Sequence, residues 1–170
     1  AVCVYHSRIK DALAALQGTD IPVAAVSAGF PAGQSSFQQR VNEITDSVAI
    51  GANEIDIVIS REHVLRHDWP ALCNEVKQFR EACGEAHLKT ILATGELGTY
   101  NNVYKASLVC MMAGADFIKT STGKENVNAT LDVSLVMMRA IREYEQITGH
   151  KVGFKPAGGI RSAKQALQWL

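Results

Sequence analysis

The chain has 170 residues, of which 47% are hydrophobic and 20% are charged, and its 17 basic residues balance its 17 acidic residues. This composition supports a sizeable buried core and does not favour disorder. Because a chain without net charge produces no long-range field, we expect neither nucleic acid nor a membrane as a partner, and any bound anion must be held locally. No apolar run approaches the length of about 20 residues that spans a bilayer, which predicts a soluble, cytosolic protein.

Six short β-rich runs alternate with segments of helical periodicity along the chain. The predicted strands cover residues 2–5, 23–28, 54–60, 88–94, 117–122 and 152–157. Strand starts that lie about 20 to 35 residues apart leave room for a crossover helix, which predicts parallel pairing of the strands. No linker interrupts this β/α alternation, so we predict a single α/β domain over residues 1–170.

Two segments between the strands carry apolar residues at the spacing of a helix face. In residues 35–50 these are Phe37, Val41, Ile44 and Val48, and a later segment has Leu131, Leu135, Met138 and Ile141. Both stripes predict helices that pack these side chains on the sheet. We therefore interpret the leucines and methionines as core residues.

Three ionisable residues, Asp56, Lys119 and Lys155, lie within apolar strand-like runs. Burying such charges costs several kcal/mol each unless they are paired. Two lysines and a carboxylate that converge in a partly dry pocket can hold one amine neutral, as a Schiff-base nucleophile requires. The alternative interpretation is structural, with Asp56 as an ion-pair partner, Lys119 reaching water through a barrel rim, and Lys155 at a solvated strand end.

A repeated hexapeptide relates two of these positions. Two helices end in Gly-Ala and continue directly into a strand, at residues 51–56 and 114–119. Asp56 and Lys119 therefore occupy equivalent strand positions, and equivalent positions in a closed parallel barrel tend to face the same interior. We expect these two side chains to converge.

Glycine and hydroxyl residues follow the last two predicted strands, where helices are expected to begin. Residues 122–124 and 157–162 can present backbone N–H groups to an anion, and late βα loops of (β/α)8 barrels commonly bind phosphate. A simple tight turn explains the glycines equally well. Lys89 and Lys124 are interpreted as rim charges or as neighbours of a phosphate.

The sequence contains no metal, disulfide or nucleotide motif. Its five histidines form no pair typical of metal ligands. His63 and His67 are four residues apart, but the glutamate that follows the first histidine in the His-Glu-x-x-His zinc motif is missing. The four cysteines form no Cys-x-x-Cys pair and lie in apolar or helical runs, which favours reduced core thiols. We predict no metal site and no cofactor.

Longer stretches of the sequence resemble a known family. The runs Ala-Asp-Phe-Ile-Lys-Thr-Ser-Thr-Gly-Lys at residues 115–124, Val-Gly-Phe-Lys-Pro-Ala-Gly-Gly-Ile-Arg at residues 152–161 and Glu-Ile-Asp-Ile-Val at residues 54–58 closely resemble signatures of the deoxyribose-phosphate aldolases. Shorter matches at residues 3–5, 29–31 and 94–97 extend the resemblance along nearly the whole chain. The resemblance implies a metal-free class I aldolase on a (β/α)8 TIM barrel. Its reaction cleaves 2-deoxy-D-ribose 5-phosphate to D-glyceraldehyde 3-phosphate and acetaldehyde in deoxyribonucleoside breakdown.

The resemblance also implies roles for individual residues. Lys119 matches the family's Schiff-base lysine, Lys155 its second active-site lysine, and Asp56 its proton-transfer carboxylate. The residues that it implies for the phosphate of the sugar substrate are Gly123, Lys124, Gly158, Gly159 and Arg161.

The family's barrel has eight strands, whereas six are predicted here. We therefore expect about six of the eight β/α units, without a first strand, a last strand with its phosphate loop, and a C-terminal tail. Either further chain supplies these parts, or the isolated piece is unstable or pairs through its open sheet edges with another copy in a homo-oligomer. A transaldolase-like or ketose aldolase and a non-enzymatic barrel fragment are the alternative functions.

Overall fold

The computed structural model describes residues 1–169, which contain one sheet of six parallel strands. The strands are β1 (Val2–Tyr5), β2 (Val23–Ser27), β3 (Glu54–Val58), β4 (His87–Ile91), β5 (Phe117–Lys119) and β6 (Gly153–Lys155). They are hydrogen-bonded in chain order, and every neighbouring pair is parallel. This arrangement confirms the predicted β/α alternation and the parallel pairing.

Helices connect the strands. They are α1 (Ile9–Ala15), α2 (Phe37–Ile50), α3 (Arg61–Leu65), α4 (Trp69–Cys83), α5 (Tyr100–Met112), α6 (Leu131–Thr148) and α7 (Ala163–Ala166). Helix α2 confirms the helix predicted for residues 35–50, and Gly51, with φ 119°, ends it in the left-handed region. Within residues 1–169, no helix is sufficiently long and apolar to cross a membrane.

The sequential strand order decides on which side of the sheet the helices lie. Right-handed crossovers between neighbouring parallel strands place every connecting helix on the same face. On that face Ile55 and Ile57 of β3 are fully buried in one apolar cluster with Phe79 of α4. Because side chains alternate along a strand, Glu54 and Asp56 point to the opposite face, which is the concave interior. The chain forms six consecutive β/α units of a (β/α)8 barrel fold.

Strands β2 to β6 end one to three residues before their predicted carboxyl ends. The chain stays buried after it leaves the ladder, as at Leu92 and Thr120, and Ala93 adopts a positive φ of 55°. A buried continuation of this kind has the composition of a strand, although its backbone has already turned into the βα loop. The predicted carboxyl ends of these strands are therefore wrong by one to three residues, because the prediction assigns the start of each loop to the strand.

The apolar stripe predicted for α6 is wrong except at Ile141. Leu131, Leu135 and Met138 are 52%, 71% and 46% exposed. The buried face consists instead of Val133, Ser134, Met137, Ala140 and Ile141. Two sets of residues with helical spacing run along this helix, and the apolar members of the second set belong to the buried core cluster. Periodicity alone does not distinguish the two sets.

The four cysteines are free thiols. Cys83 and Cys110 are buried, as predicted, and burial raises the pKa of each thiol to about 12. Cys73 is only half-buried, and Cys3 on the edge strand β1 is exposed. The interpretation of the cysteines as core residues is therefore wrong for Cys3, because an edge strand has a neighbour on one side only.

Candidate active site

Asp56 lies at the centre of a cluster of charged side chains in the barrel interior. Its Oδ2 atom is 2.7 Å from Nζ of Lys119 and 2.9 Å from Nζ of Lys155. Asp56 is fully buried, Lys119 is nearly so, and Lys155 is partly exposed. The structure therefore brings together the three residues that the sequence singled out as interruptions of apolar strands.

The strand register brings these side chains together, but not in the predicted way. Asp56 pairs with Lys89 across β3 and β4, while Lys119 pairs with Ile91 of β4 and with Lys155 of β6. Lys119 is therefore displaced by two residues along the sheet from the position equivalent to Asp56. A shift of two residues keeps a side chain on the same face, and such a stagger is inherent in a barrel. The expected convergence holds, although the predicted equivalence of position is wrong.

Lys89 is a third lysine of this cluster. Its Nζ atom is 3.0 Å from Oδ1 of Asp56, and it also donates a hydrogen bond to Oε2 of Glu54. Only 3% of Lys89 is exposed, so its interpretation as a rim charge is wrong. The signal was present in the sequence, because Lys89 interrupts the apolar run of β4 as Asp56 interrupts that of β3.

Charge pairing shifts the titration of two members of the cluster. Burial opposes ionisation of Asp56, but the ammonium groups of Lys119, Lys155 and Lys89 outweigh it and hold the pKa of this carboxyl well below its usual range. Burial favours a neutral amine at Lys155, but the negative charge of Asp56 outweighs it and raises the pKa of Lys155. Asp56 and Lys155 are therefore both charged at neutral pH.

The charges of the cluster do not balance when every member is ionised. Two carboxylates, on Glu54 and Asp56, face the amines of Lys89, Lys119 and Lys155. One positive charge is left without a partner in a largely buried place. Loss of a proton from one amine would make the cluster neutral, which favours the formation of an amine nucleophile.

The edge strand β1 contributes a thiol to the same cluster. Sγ of Cys3 lies 3.7 Å from Oδ2 of Asp56. Although Cys3 as a whole residue is exposed, partial burial of its sulfur and the nearby negative charge of Asp56 both raise the pKa of the Cys3 thiol. The thiol is therefore neutral at physiological pH and acts as a weak hydrogen-bond donor to the carboxylate.

Two glycine-containing loops meet at the carboxyl ends of β5 and β6. A Cβ atom on Gly123 would lie 3.7 Å from Cα of Gly158, so the two loops are in contact. Gly158 has φ 84°, and a Cβ atom there would lie 2.5 Å from Oδ1 of Asn128. Gly159 also has a positive φ of 85°. Only glycine fits at Gly158 without strain or displacement of its neighbour.

Part of the hydrogen-bonding capacity of these loops is used internally. The backbone N–H and the hydroxyl of Thr122 donate to the carboxylate of Glu125, and the N–H of Arg161 donates to Oε1 of Gln165 at 2.8 Å. The side chains of Lys124 and Arg161 are exposed and make no ion pair within residues 1–169. The structure thus brings Gly123 and Gly158 together but leaves the two cationic side chains in solvent.

No group of three His, Cys, Asp or Glu side chains within residues 1–169 is arranged to hold a metal ion. The chemistry available in the barrel interior is that of amines, carboxylates and a thiol. An amine beside an ionised carboxylate can add to a carbonyl group and form an imine.

Comparison with known proteins identifies the family. Residues 1–170 match the family model described as DeoC/LacD family aldolase. The chain belongs to this family. Deoxyribose-phosphate aldolases of Homo sapiens and Mus musculus are 64% and 65% identical to it over 172 aligned residues. The alignment covers 100% of this chain and 54% of each relative, so the chain spans about half the length of these relatives.

A solved structure supports the same assignment of the fold. The aldolase QR15 has a TM-score of 0.87 and 29% sequence identity to this chain. That comparison covers 98% of this chain and 71% of QR15. The resemblance to the deoxyribose-phosphate aldolases and the predicted TIM-barrel architecture are therefore both confirmed.

Proposed function

We propose that the complete protein is a deoxyribose-phosphate aldolase that acts through a Schiff base on Lys119. The observation that carries this proposal is the sharing of one buried carboxylate, on Asp56, between the amines of Lys119 and Lys155. The sequence identity of 64% and 65% to the human and mouse deoxyribose-phosphate aldolases supports the choice of 2-deoxy-D-ribose 5-phosphate as substrate.

The first step is attack by the neutral amine of Lys119 on the C1 aldehyde of the open-chain sugar. Lys89 donates to two carboxylates and Lys155 is held in its charged form, so we assign the attack on C1 to Lys119. Addition to C1, uptake of one proton and loss of water produce an iminium ion, which places a positive charge next to Asp56. The iminium then serves as an electron sink.

The second step breaks the C2–C3 bond. Asp56 is ionised, and we propose that it accepts the proton of the C3 hydroxyl through a water molecule. The C2–C3 electron pair moves into the iminium to form an enamine, and D-glyceraldehyde 3-phosphate leaves. Return of a proton to C2 and hydrolysis of the imine release acetaldehyde and restore Lys119. Asp56 holds the proton only briefly, which suits a carboxylate whose pKa is held low in the free protein by the lysines around it.

The substrate phosphate is proposed to bind at the loops that follow β5 and β6. Gly123, Gly158 and Gly159 would offer backbone N–H groups, and the exposed side chains of Lys124 and Arg161 can reach an anion there. Binding of this remote group would orient C1 and C3 toward Lys119 and Asp56 without contacting the reacting carbons.

We further propose that the protein works in the cytosol, because the proposed substrate is a soluble sugar phosphate and the four cysteines are free thiols. Its partner is the substrate itself, and neither nucleic acid nor a membrane is expected. We predict association with further copies of the protein, which light scattering on the complete protein would measure.

A coupled assay for glyceraldehyde 3-phosphate tests the proposal. Lys119→Ala should reduce cleavage of 2-deoxyribose 5-phosphate to background, because it removes the buried amine that lies 2.7 Å from Oδ2 of Asp56 and is proposed to form the imine. Lys10→Ala, at an exposed lysine of α1, is the matched control and should leave cleavage unchanged. Cleavage of a ketose phosphate but not of the deoxyribose phosphate would favour the rival aldolase function, and retained activity in Lys119→Ala would refute the mechanism.

A further inference from the structure

Strand β3 places two carboxylates in the barrel interior, of which the proposed reaction uses one. Glu54 and Asp56 are two residues apart and therefore lie on the same face of the strand. Glu54 is at the amino end of β3, on the side of Asp56 that faces away from the loops at the carboxyl ends of the strands. Glu54 is 9% exposed and Asp56 is fully buried.

Lys89 of β4 connects these two carboxylates. It pairs directly with Asp56 in the strand register, its Nζ atom is 3.0 Å from Oδ1 of Asp56, and it donates to Oε2 of Glu54. Lys119 and Lys155 bind the other oxygen of Asp56, Oδ2. The carboxylate is thus held through both oxygens, with one oxygen committed to Lys89 and the other to the two lysines nearer the loops.

We propose that Glu54 and Lys89 are a positioning pair, which orients the Asp56 carboxylate for proton transfer without touching the substrate. Lys89 fixes Oδ1 and thereby directs Oδ2 toward Lys119 and Lys155. Glu54 balances the charge of Lys89, so that Asp56 does not have to neutralise three amines alone. This inference rests on the proposed function, since it assigns the pair to the step in which Asp56 accepts a proton.

The two chemical steps should respond differently to loss of the pair. Imine formation depends on the amine of Lys119, which hydrogen-bonds to Asp56 and forms no hydrogen bond or ion pair with Glu54 or Lys89. Cleavage of the C2–C3 bond depends on the orientation of Asp56. Loss of the anchor at Oδ1 should therefore slow cleavage while imine formation persists.

Three variants of the complete protein test the inference: Lys89→Met, Glu54→Gln and the double variant. Lys89→Met leaves Glu54 buried without its cation, so its Tm should fall. The double variant removes both charges, and its Tm should recover toward that of the wild type. Its kcat for 2-deoxyribose 5-phosphate should nevertheless stay about tenfold or more below wild type, because Asp56 still lacks its anchor.

Borohydride trapping supplies the readout that a purely structural role would not change. In the double variant, acetaldehyde should still be trapped on Lys119 at a rate within about threefold of wild type, while kcat remains low. Recovery of kcat together with Tm would overturn the inference, because the pair would then serve stability alone. Parallel loss of trapping and cleavage would also overturn it, since the pair would then act on the amine.

Glu54→Gln keeps the shape of the side chain, and this single variant is used for the test if the double variant does not fold. Lys89 would then have Asp56 as its only charged partner, so kcat should fall several-fold with trapping retained; an unchanged kcat would overturn the inference. Wild-type protein that neither traps acetaldehyde nor cleaves the substrate would refute the proposed function itself. Wild-type cleavage with a normal kcat in the double variant would refute the positioning pair alone.

Discussion

Replacement of Asp56 by asparagine should strongly destabilise the protein. The wild-type carboxylate is fully buried and lies within 3.0 Å of three lysine amines. Asparagine keeps the shape and one acceptor oxygen, but it leaves three ammonium groups with Glu54 as their only nearby carboxylate. Removal of one member of a buried ion pair costs about 3–5 kcal/mol. With a urea m value of about 2 kcal/mol/M, the midpoint of unfolding should fall by about 2 M.

The loss of stability caused by Asp56→Asn should also depend on pH in a defined direction. The pKa of Asp56 is lower in the folded protein than in the unfolded chain, so its contribution to stability is complete above the unfolded pKa of about 4. That contribution is lost as the pH falls further toward the folded pKa. The difference in free energy of unfolding between wild type and Asp56→Asn should therefore be largest near neutral pH and should shrink below about pH 4.

Urea unfolding followed by circular dichroism on the complete protein measures both effects. Asp11→Asn is the matched control, because Asp11 forms a 3.1 Å ion pair with Arg8 in which both side chains are about two-thirds exposed. Such a pair contributes about 0.5 kcal/mol. Equal destabilisation by the two substitutions would refute the argument that Asp56 neutralises a buried cluster of amines.

Further substitutions test the second lysine and the glycine loops. Lys155→Met removes one of the two amines at Oδ2 of Asp56, so that Lys119 is the only amine left there and imine formation with acetaldehyde should slow; the rate of borohydride trapping measures this, and an unchanged rate would contradict the charge argument. Gly158→Ala places a methyl group 2.5 Å from Oδ1 of Asn128 at φ 84°, which should raise KM for the phosphorylated sugar about tenfold. Cleavage of unphosphorylated 2-deoxyribose should change little in this variant. Gly149→Ala is its control, because Gly149 has a similar φ of 75° but a Cβ atom added there would have no neighbouring atom within 4 Å. Equal effects of the two substitutions on KM would argue against a phosphate site at Gly158.

Local patterns were sufficient to predict the strands and part of the site. Alternation of β-rich and helical segments depends on neighbouring residues, and so does the interruption of an apolar run by Asp56, Lys119 or Lys155. Each of these features is visible within a short stretch of sequence. The same criterion applied to Lys89 would have placed it in the barrel interior, where the structure has it.

The remaining features depend on contacts between distant parts of the chain. The two-residue stagger of Lys119 relative to Asp56 is a property of strand pairing across β3, β4 and β5, and no hexapeptide encodes it. Helix α6 offers two sets of residues with helical spacing, and the choice between them depends on which side chains are buried against the rest of the protein. Tertiary packing thus decides what periodicity leaves open.

The most direct test of the central claim is to locate the imine. The complete protein is incubated with acetaldehyde and borohydride, which reduces an imine to a stable secondary amine, and the modified lysine is then identified by intact mass and peptide mapping. Our account predicts one ethyl group per chain, confined to Lys119 and absent from Lys119→Ala. An adduct on Lys155 or Lys89, or cleavage of 2-deoxyribose 5-phosphate without any trapped adduct on Lys119, would contradict it.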